Sequence, residues 1–285
     1  MKIFYSPQCL EYGIAGHPEN GSRVENTARG LQEKGFSFTE PSACSVDDLL
    51  LAHSKELVAK VKSDGFFDAD TPNYAGIYEI AMLAAGSAIN AMQCALEGEN
   101  AFSLMRPPGH HAGCNFLGGF CYFNNIAIAV VKALQTRDIK KVAIIDFDNH
   151  HGNGTQDIFL GQKWQEKVLY ISLHQSPCYP GTGLMNERNC INFPMPQGTT
   201  SSEYLKSFDK AIEYVKRFNP DLIAISAGFD SYKNDPLTSL ELDLETFEEI
   251  GKRIAGLRKK IFAVLEGGYS QELPGCVWRF LDGMN

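Results

Sequence analysis

The stretch Val142-Ala-Ile-Ile-Asp146-Phe-Asp148-Asn-His150-His151-Gly-Asn153-Gly-Thr155 decides the fold. Residues 142–145 form a short, unbroken apolar run, the pattern of a strand buried on both faces. A dense set of Asp, Asn and His follows it. The same order recurs along the chain. Residues 101–105 lead into Arg106-Pro107-Pro108-Gly109-His110-His111, and 168–172 into Leu173-His174. Residues 222–226 lead into Ala227-Gly228-Phe229-Asp230, and 261–265 into Glu266-Gly267-Gly268-Tyr269. Helical patterns lie between these runs at 78–96, 125–134, 201–218 and 244–257, with Asp47-Asp48 and Ser201-Ser202 as helix starts. Such alternation predicts an α/β fold, a single three-layer domain over residues 1–285 with a central, mainly parallel sheet. The segments after the strands then share the carboxyl edge, where α/β proteins bind ligands.

Composition narrows the function classes. At 44% hydrophobic and 21% charged residues, the 285-residue chain has enough apolar side chains for a large core, which excludes disorder as its main state. The net charge of −8, the pI near 5.4 and the lack of any Lys/Arg block argue against nucleic acid as a partner. An acidic surface favours cationic ligands instead. Apolar stretches such as 126–131 fall well short of the roughly 20 residues a bilayer requires, so no membrane partner is expected. The start Met1-Lys2-Ile3-Phe4-Tyr5 reads as a strand rather than a signal peptide. Eight cysteines without a C-x-x-C pair suit a reduced, cytoplasmic protein with mostly buried thiols.

The predicted edge gathers chemistry. Among seven histidines, His110-His111 and His150-His151 are adjacent pairs. On an extended backbone Asp148 and His150, two apart, point to one side. With Asp230 from another strand end they would make a three-ligand site with an open position, as in catalytic zinc centres, and one that other divalent metals tolerate. Seen alone, Asp146 or Asp148 serves equally well as a helix cap. His110 and His111 follow a direction-fixing Pro-Pro-Gly turn and suit proton transfer beside a metal-bound water. Asp146 suits orientation of one His and Asn153 of the other, and the carboxylate partner makes its imidazole the more basic. Tyr269, after two glycines, is a donor suited to a developing oxyanion. The loops 118–122 and 177–183, rich in aromatics and glycine, suit the walls of a narrow slot. Taken together, the residues read as a metal-dependent hydrolase of a carbonyl or related bond.

Four motifs carry a resemblance. Arg106-Pro-Pro-Gly-His-His-Ala112, Asp146-Phe-Asp-Asn-His-His-Gly-Asn-Gly-Thr155, Ala227-Gly-Phe-Asp230 and Glu266-Gly-Gly-Tyr269 resemble the histone deacetylase and acetylpolyamine amidohydrolase superfamily. They are most similar to its class II branch and bacterial relatives, and His17-Pro18-Glu19 followed by Arg23 also fits. The resemblance implies an arginase-like α/β sheet and a zinc-dependent deacetylase, with Fe2+ as the other metal. It implies that Asp148, His150 and Asp230 bind the metal and that His111 is the general base and acid. By the same resemblance His110, with Asp146, is an electrostatic helper, and Tyr269 polarises the amide carbonyl. Gly119, Phe120, Tyr179 and Leu237 would line a tunnel for an acetyl-lysine-like chain. A structural potassium ion would lie at Asp146, Asp148, His150, Ser172 and Leu173, partly through backbone oxygens, and Arg23 would border a channel for released acetate. Asn153 stands where class I members have Asp, which fits class II. Leu237 stands where a polyamine-selective member has Glu, so an acetylated lysine peptide or protein is favoured over an acetylated polyamine. Two other readings are a dinuclear, arginase-like ureohydrolase, which needs more carboxylates, and a non-catalytic acyl-lysine reader, which predicts loss of Tyr269 or a metal ligand.

Overall fold

A computed structural model describes residues 1–63 and 65–285 of the chain. Its strands are β1 (Lys2–Phe4), β2 (Phe38–Thr39), β3 (Ala101–Ser103), β4 (Val142–Asp146), β5 (Val168–Gln175), β6 (Cys190–Met195), β7 (Leu222–Ala227) and β8 (Lys260–Leu265). They form one eight-stranded sheet in the order β2-β1-β3-β8-β7-β4-β5-β6, and every pairing is parallel. Each of the runs expected as strands contributes to this sheet, although β3 stops at Ser103, two residues short of the expected 101–105. The run 142–145 sits among its inner strands, with Asp146 opposite Ser172 of β5 and Ser226 of β7.

The helices are α1 (Gly21–Glu33), α2 (Val46–Leu49), α3 (Lys55–Lys62), α4 (Ile77–Leu96), α5 (Asn125–Ala133), α6 (Asn153–Phe159), α7 (Ser201–Phe218), α8 (Leu244–Ala255) and α9 (Leu273–Gly283). Parallel strands require crossovers, and the helices supply them while covering both faces. In one layer α4 packs on β1, β3, β8 and α5; in the other α1, α9, α8 and α7 pack side by side. Capping fixes where the helices begin. Thr200 and Glu203 close a capping box on α7, one residue before the expected Ser201-Ser202 start. Ser45 and Asp48 do the same for α2, next to the expected Asp47-Asp48. Asn124 caps α5 through the Ala127 N–H at 3.0 Å.

The core fills the sheet interior. Ile144, Ile145, Ile223, Ile225 and Phe262 are fully buried, each contributing roughly 1.5–3 kcal/mol over its exposed state. Helix α4 corrects the hydropathy reading. By length and composition it is apolar enough to cross a membrane, although it holds no long unbroken apolar stretch. Small residues such as Ala84, Ala85, Gly86, Ser87 and Ala88 lower its apparent continuity without making it polar. Here that surface is used for packing: 72% of the apolar window is buried inside the fold.

Candidate active site

The chain leaves β4 at Asp146 and bends through residues 147–152. The extended geometry expected for Asp148 and His150 is therefore absent, and a turn brings them together instead. Asp148 Oδ1 accepts the His150 N–H at 2.8 Å. The His150 Nδ1 atom lies 3.2 Å from Asp148 Oδ1 and 2.8 Å from Asp230 Oδ2. Asp230 arrives beyond the end of β7, and ligand atoms of the three residues all lie within 4.8 Å of one another. Neither Asp146 nor Asp148 caps α6; its N-cap is Gly152.

The three residues fit a divalent cation. Asp148 Oδ2 accepts the Gly267 N–H at 2.7 Å and Asp230 Oδ1 the Asn149 N–H at 2.8 Å, whereas Asp230 Oδ2 faces only the His150 ring. Two buried carboxylates against one imidazole leave uncompensated negative charge in a poorly screened place. A Cβ on Gly267 would stand 2.6 Å from Asp148 Oδ2 and 2.7 Å from Asp230 Oδ2, so glycine keeps the space beside these oxygens clear. Two carboxylates and an imidazole are ligands for zinc or iron(II). Among the described residues no second cluster has this spacing, and a dinuclear centre would need one.

Two imidazoles flank this cluster, and their surroundings shift them in opposite directions. His110 Nδ1 lies 3.2 Å from Asp146 Oδ2, and its Nε2 lies 3.8 Å from Asp148 Oδ1. Burial opposes its charge, but the Asp148 and Asp146 carboxylates outweigh that and push it up to about 10. His111 stacks obliquely on His110, ring centres 4.0 Å apart, and its Nδ1 is 2.8 Å from Asn153 Oδ1. Burial and the positive charges of His110 and His150 hold it well below the ordinary histidine value. With Nδ1–H donated to the amide oxygen, Nε2 of His111 is the free base.

A cleft of about 330 Å³ opens above these groups, and Gly119, Phe120, Tyr179, Leu237 and Tyr269 all line it. Phe120 meets Tyr269 edge-on at 5.9 Å, and Tyr179 meets His111 at 5.0 Å. Gly119 has φ +56°, and a Cβ there would overlap the His111 ring and come within 3.0 Å of Tyr179 Cε1. Tyr269 also borders a second, smaller opening of about 90 Å³, with Arg23, Asn20 and Ser22. The Arg23 guanidinium lies 4.6 Å from the Tyr269 ring centre and donates to Gly268 O at 2.6 Å and Glu266 O at 2.8 Å. Arg23 thus lines the smaller opening, and Tyr269 borders both.

Several supporting groups, some of them in the quoted motifs, have partners that only the fold reveals. Glu266 Oε2 accepts the Gly109 and His110 N–H groups at 2.7 and 3.2 Å, holding the His110-His111 turn against β8. The Tyr170 hydroxyl donates to Asp146 Oδ2 at 2.9 Å. Arg106, fully buried, clasps Glu19 at 2.6 and 2.7 Å and donates to the carbonyls of Cys9 and Tyr12. Asp70 and Cys178 join the cleft lining. His174 departs from expectation. Strand β5 runs on to Gln175, so His174 lies inside it, next to Ser172 Oγ and Gly183 O rather than in the cleft. Ser172 and Leu173 likewise lie within β5, the former opposite Asp146.

A domain model described as "Histone deacetylase domain" matches residues 17–284. The chain belongs to the histone deacetylase family. Within that family it is 42% identical over 95% of its length to a probable deacetylase of Archaeoglobus fulgidus, covering 81% of that protein. It is 35% identical over 93% of its length to a histone deacetylase-like amidohydrolase of Pseudomonas aeruginosa, covering 75% of it. The crystal structure of an acetylpolyamine aminohydrolase from Burkholderia pseudomallei superposes with a TM-score of 0.92 at 26% identity, over 99% of this chain and 98% of that one. This histone deacetylase family member is a hydrolase of the deacetylase/amidohydrolase type.

Proposed function

We propose that the protein, as one catalytic domain over residues 1–285, hydrolyses the side-chain amide of N-acetyl-lysine in a peptide or protein. The observation that carries this reading is the placement of His110, paired with Asp146, and His111, paired with Asn153, beside Asp148, His150 and Asp230, at the foot of an aromatic cleft bordered by Tyr269. Zinc, or iron(II), held by those three residues would supply a Lewis acid and a water of lowered pKa. His111 Nε2 takes the proton of the attacking water. The Tyr269 hydroxyl donates to the carbonyl oxygen as charge develops on it. His111 then returns the proton to the leaving amine, and His110 stays charged, stabilising the negative charge that passes through the site. Phe120 and Tyr179 exclude water from the methylene chain. Arg23, behind Tyr269, suits an anion such as acetate, and we assign it to the product path.

A structural potassium ion is proposed at Asp146, Asp148, His150, Ser172 and Leu173; the β4–β5 register, which sets Asp146 opposite Ser172, supports it. The free state of all eight cysteines agrees with a cytoplasmic location. One observation favours a second substrate, an acetylated polyamine: Asp70 is a carboxylate in the cleft lining that suits a second amine. The apolar Leu237, 40% exposed on the same cleft, favours the peptide. Metal-analysed protein assayed with an acetyl-lysine peptide and with N-acetylputrescine, each with and without chelator, tests the choice. Chelator-sensitive turnover of the peptide alone supports the proposal; turnover of the polyamine alone overturns the substrate assignment, and turnover of neither overturns the acetyl reading.

A further inference from the structure

The cleft takes Tyr269 and Leu237 from two irregular segments, one after β8 and one after β7. Backbone donors in such segments depend on individual acceptors. One side chain serves both. Asp235 Oδ2 accepts the Tyr269 N–H at 2.7 Å, and Asp235 Oδ1 accepts the Leu237 N–H at 3.0 Å. The residue is 6% exposed and is not part of the cleft lining. Its own N–H donates to Tyr232 O at 2.8 Å, which fixes where the side chain starts. The rest of the Tyr269 turn is held separately: the Gly267 N–H donates to Asp148 Oδ2, Arg23 donates to Glu266 O and Gly268 O, and the Phe229 N–H donates to Gly267 O at 3.0 Å. Those bonds fix the approach to Tyr269, and the Asp235 bond fixes Tyr269 itself.

A buried carboxylate is a costly way to satisfy one amide, because an alcohol or amide side chain could do that without a charge. What only a carboxylate offers at this size is two acceptor oxygens and no donor. We propose that Asp235 is a positioning residue that locks the turn carrying Tyr269 to the segment carrying Leu237, so that one carboxylate couples carbonyl polarisation to the width of the cleft mouth. The proposal rests on the reading of Tyr269 as the carbonyl donor.

Asp235→Asn in the metal-loaded full chain keeps the shape but turns one acceptor into an NH2 that faces a backbone N–H. The expected result is a roughly 10- to 100-fold fall in kcat on an acetyl-lysine peptide, the size of one lost hydrogen bond to a charged group. The ratio of kcat/KM for acetyl over butyryl peptide changes as well, and amide-exchange protection falls at Tyr269 and Leu237. In a Tyr269→Phe background the same substitution changes kcat less than about twofold, because the group it positions is gone. An equal fall in both backgrounds, or unchanged protection at Tyr269, overturns the proposal. If Asp235→Asn does not fold, Leu237→Pro and Leu237→Ala read the link another way. Proline lacks the N–H and alanine keeps it, so only proline should loosen exchange at Tyr269, and equal effects overturn the coupling. Metal-loaded wild-type protein that hydrolyses no acylated amine overturns the proposed function, whereas the exchange measurements judge the Asp235 link on their own.

Discussion

Glu19→Gln isolates the charge of a buried acid while keeping its shape. The Glu19 side chain is 3% exposed and that of Arg106 is 0%. Arg106 Nε and Nη2 donate to the two Glu19 oxygens at 2.6 and 2.7 Å, and Arg23 Nη1 donates to Oε1 at 3.1 Å. The Tyr12 hydroxyl adds a bond to Oε2 at 2.9 Å. Glutamine leaves two guanidinium groups with no carboxylate between them and sets an NH2 against a donor. Removing one partner of a buried pair costs about 3–5 kcal/mol. That is a large share of a stability of roughly 5–15 kcal/mol and amounts to a fall in Tm of about 6–20 °C. Acidification gives a second readout. Burial raises the Glu19 carboxyl, but Arg106 and Arg23 outweigh it and hold the group below its ordinary value. A depressed folded value gives stability that is present above the unfolded value, about 4.3, and is lost as pH falls through the folded one. The difference between wild type and variant in urea unfolding should be largest near neutral pH and shrink below about pH 4. A variant within about 1 kcal/mol of wild type at pH 7, or a gap that stays constant on acidification, would refute the reasoning.

Other substitutions probe the cleft. Gly119→Ala forces a left-handed backbone on alanine at about 1–2 kcal/mol and drives a methyl into His111; a lower Tm and a loss of activity of up to about 10²-fold are expected, and wild-type kcat would refute the packing argument. Asn153→Asp sets a carboxylate against His111 Nδ1, raises that imidazole and moves the acid limb of the pH–rate profile to higher pH; an unmoved limb would show that Asn153 does not tune the base. Asp70→Asn should raise KM for an acetylated diamine several-fold and leave a neutral acetyl-lysine peptide within about twofold, and equal effects would remove Asp70 from substrate selection.

The fold was legible where burial left a continuous signal. Strands β3, β4, β5, β7 and β8 are apolar on both sides, and such runs are readable without context. Strand β1 was also legible, in residues 1–5 at the start, whereas β2, two residues long, is too short to show a pattern. Strand β6, with Asn192 and Pro194 inside Cys190–Met195, has no unbroken apolar run to mark it. It is the sheet edge, where a proline is tolerated. The site was legible for a related reason: His110, His111, Asp148, His150, Asp230 and Tyr269 each follow a strand, and parallel topology alone collects them. The geometry of Asp148 and His150 was right in outcome and wrong in cause, since a turn and not a strand aligns them. Glu19 with Arg106, Glu266 with Gly109, and Asp235 with Tyr269 could not be read. Most of these residues lie in the motifs that carry the resemblance, but each pair joins positions far apart in the chain, and nothing local says which meets which.

Helix α4 has a consequence for the birth of the protein. The helix is complete once residue 96 has been synthesised, but β8, which packs against it, begins 164 residues later, where Lys260 Nζ donates to Leu96 O at 2.6 Å. At about 5–20 residues per second, roughly 8–30 s of translation separate the two. Throughout that interval a segment apolar enough to enter a bilayer lacks one of its permanent neighbours. Chains halted before residue 260 are thus the species expected to engage chaperones, to partition into membranes or to aggregate. The last strand to emerge conceals a segment that would otherwise be open to misrouting.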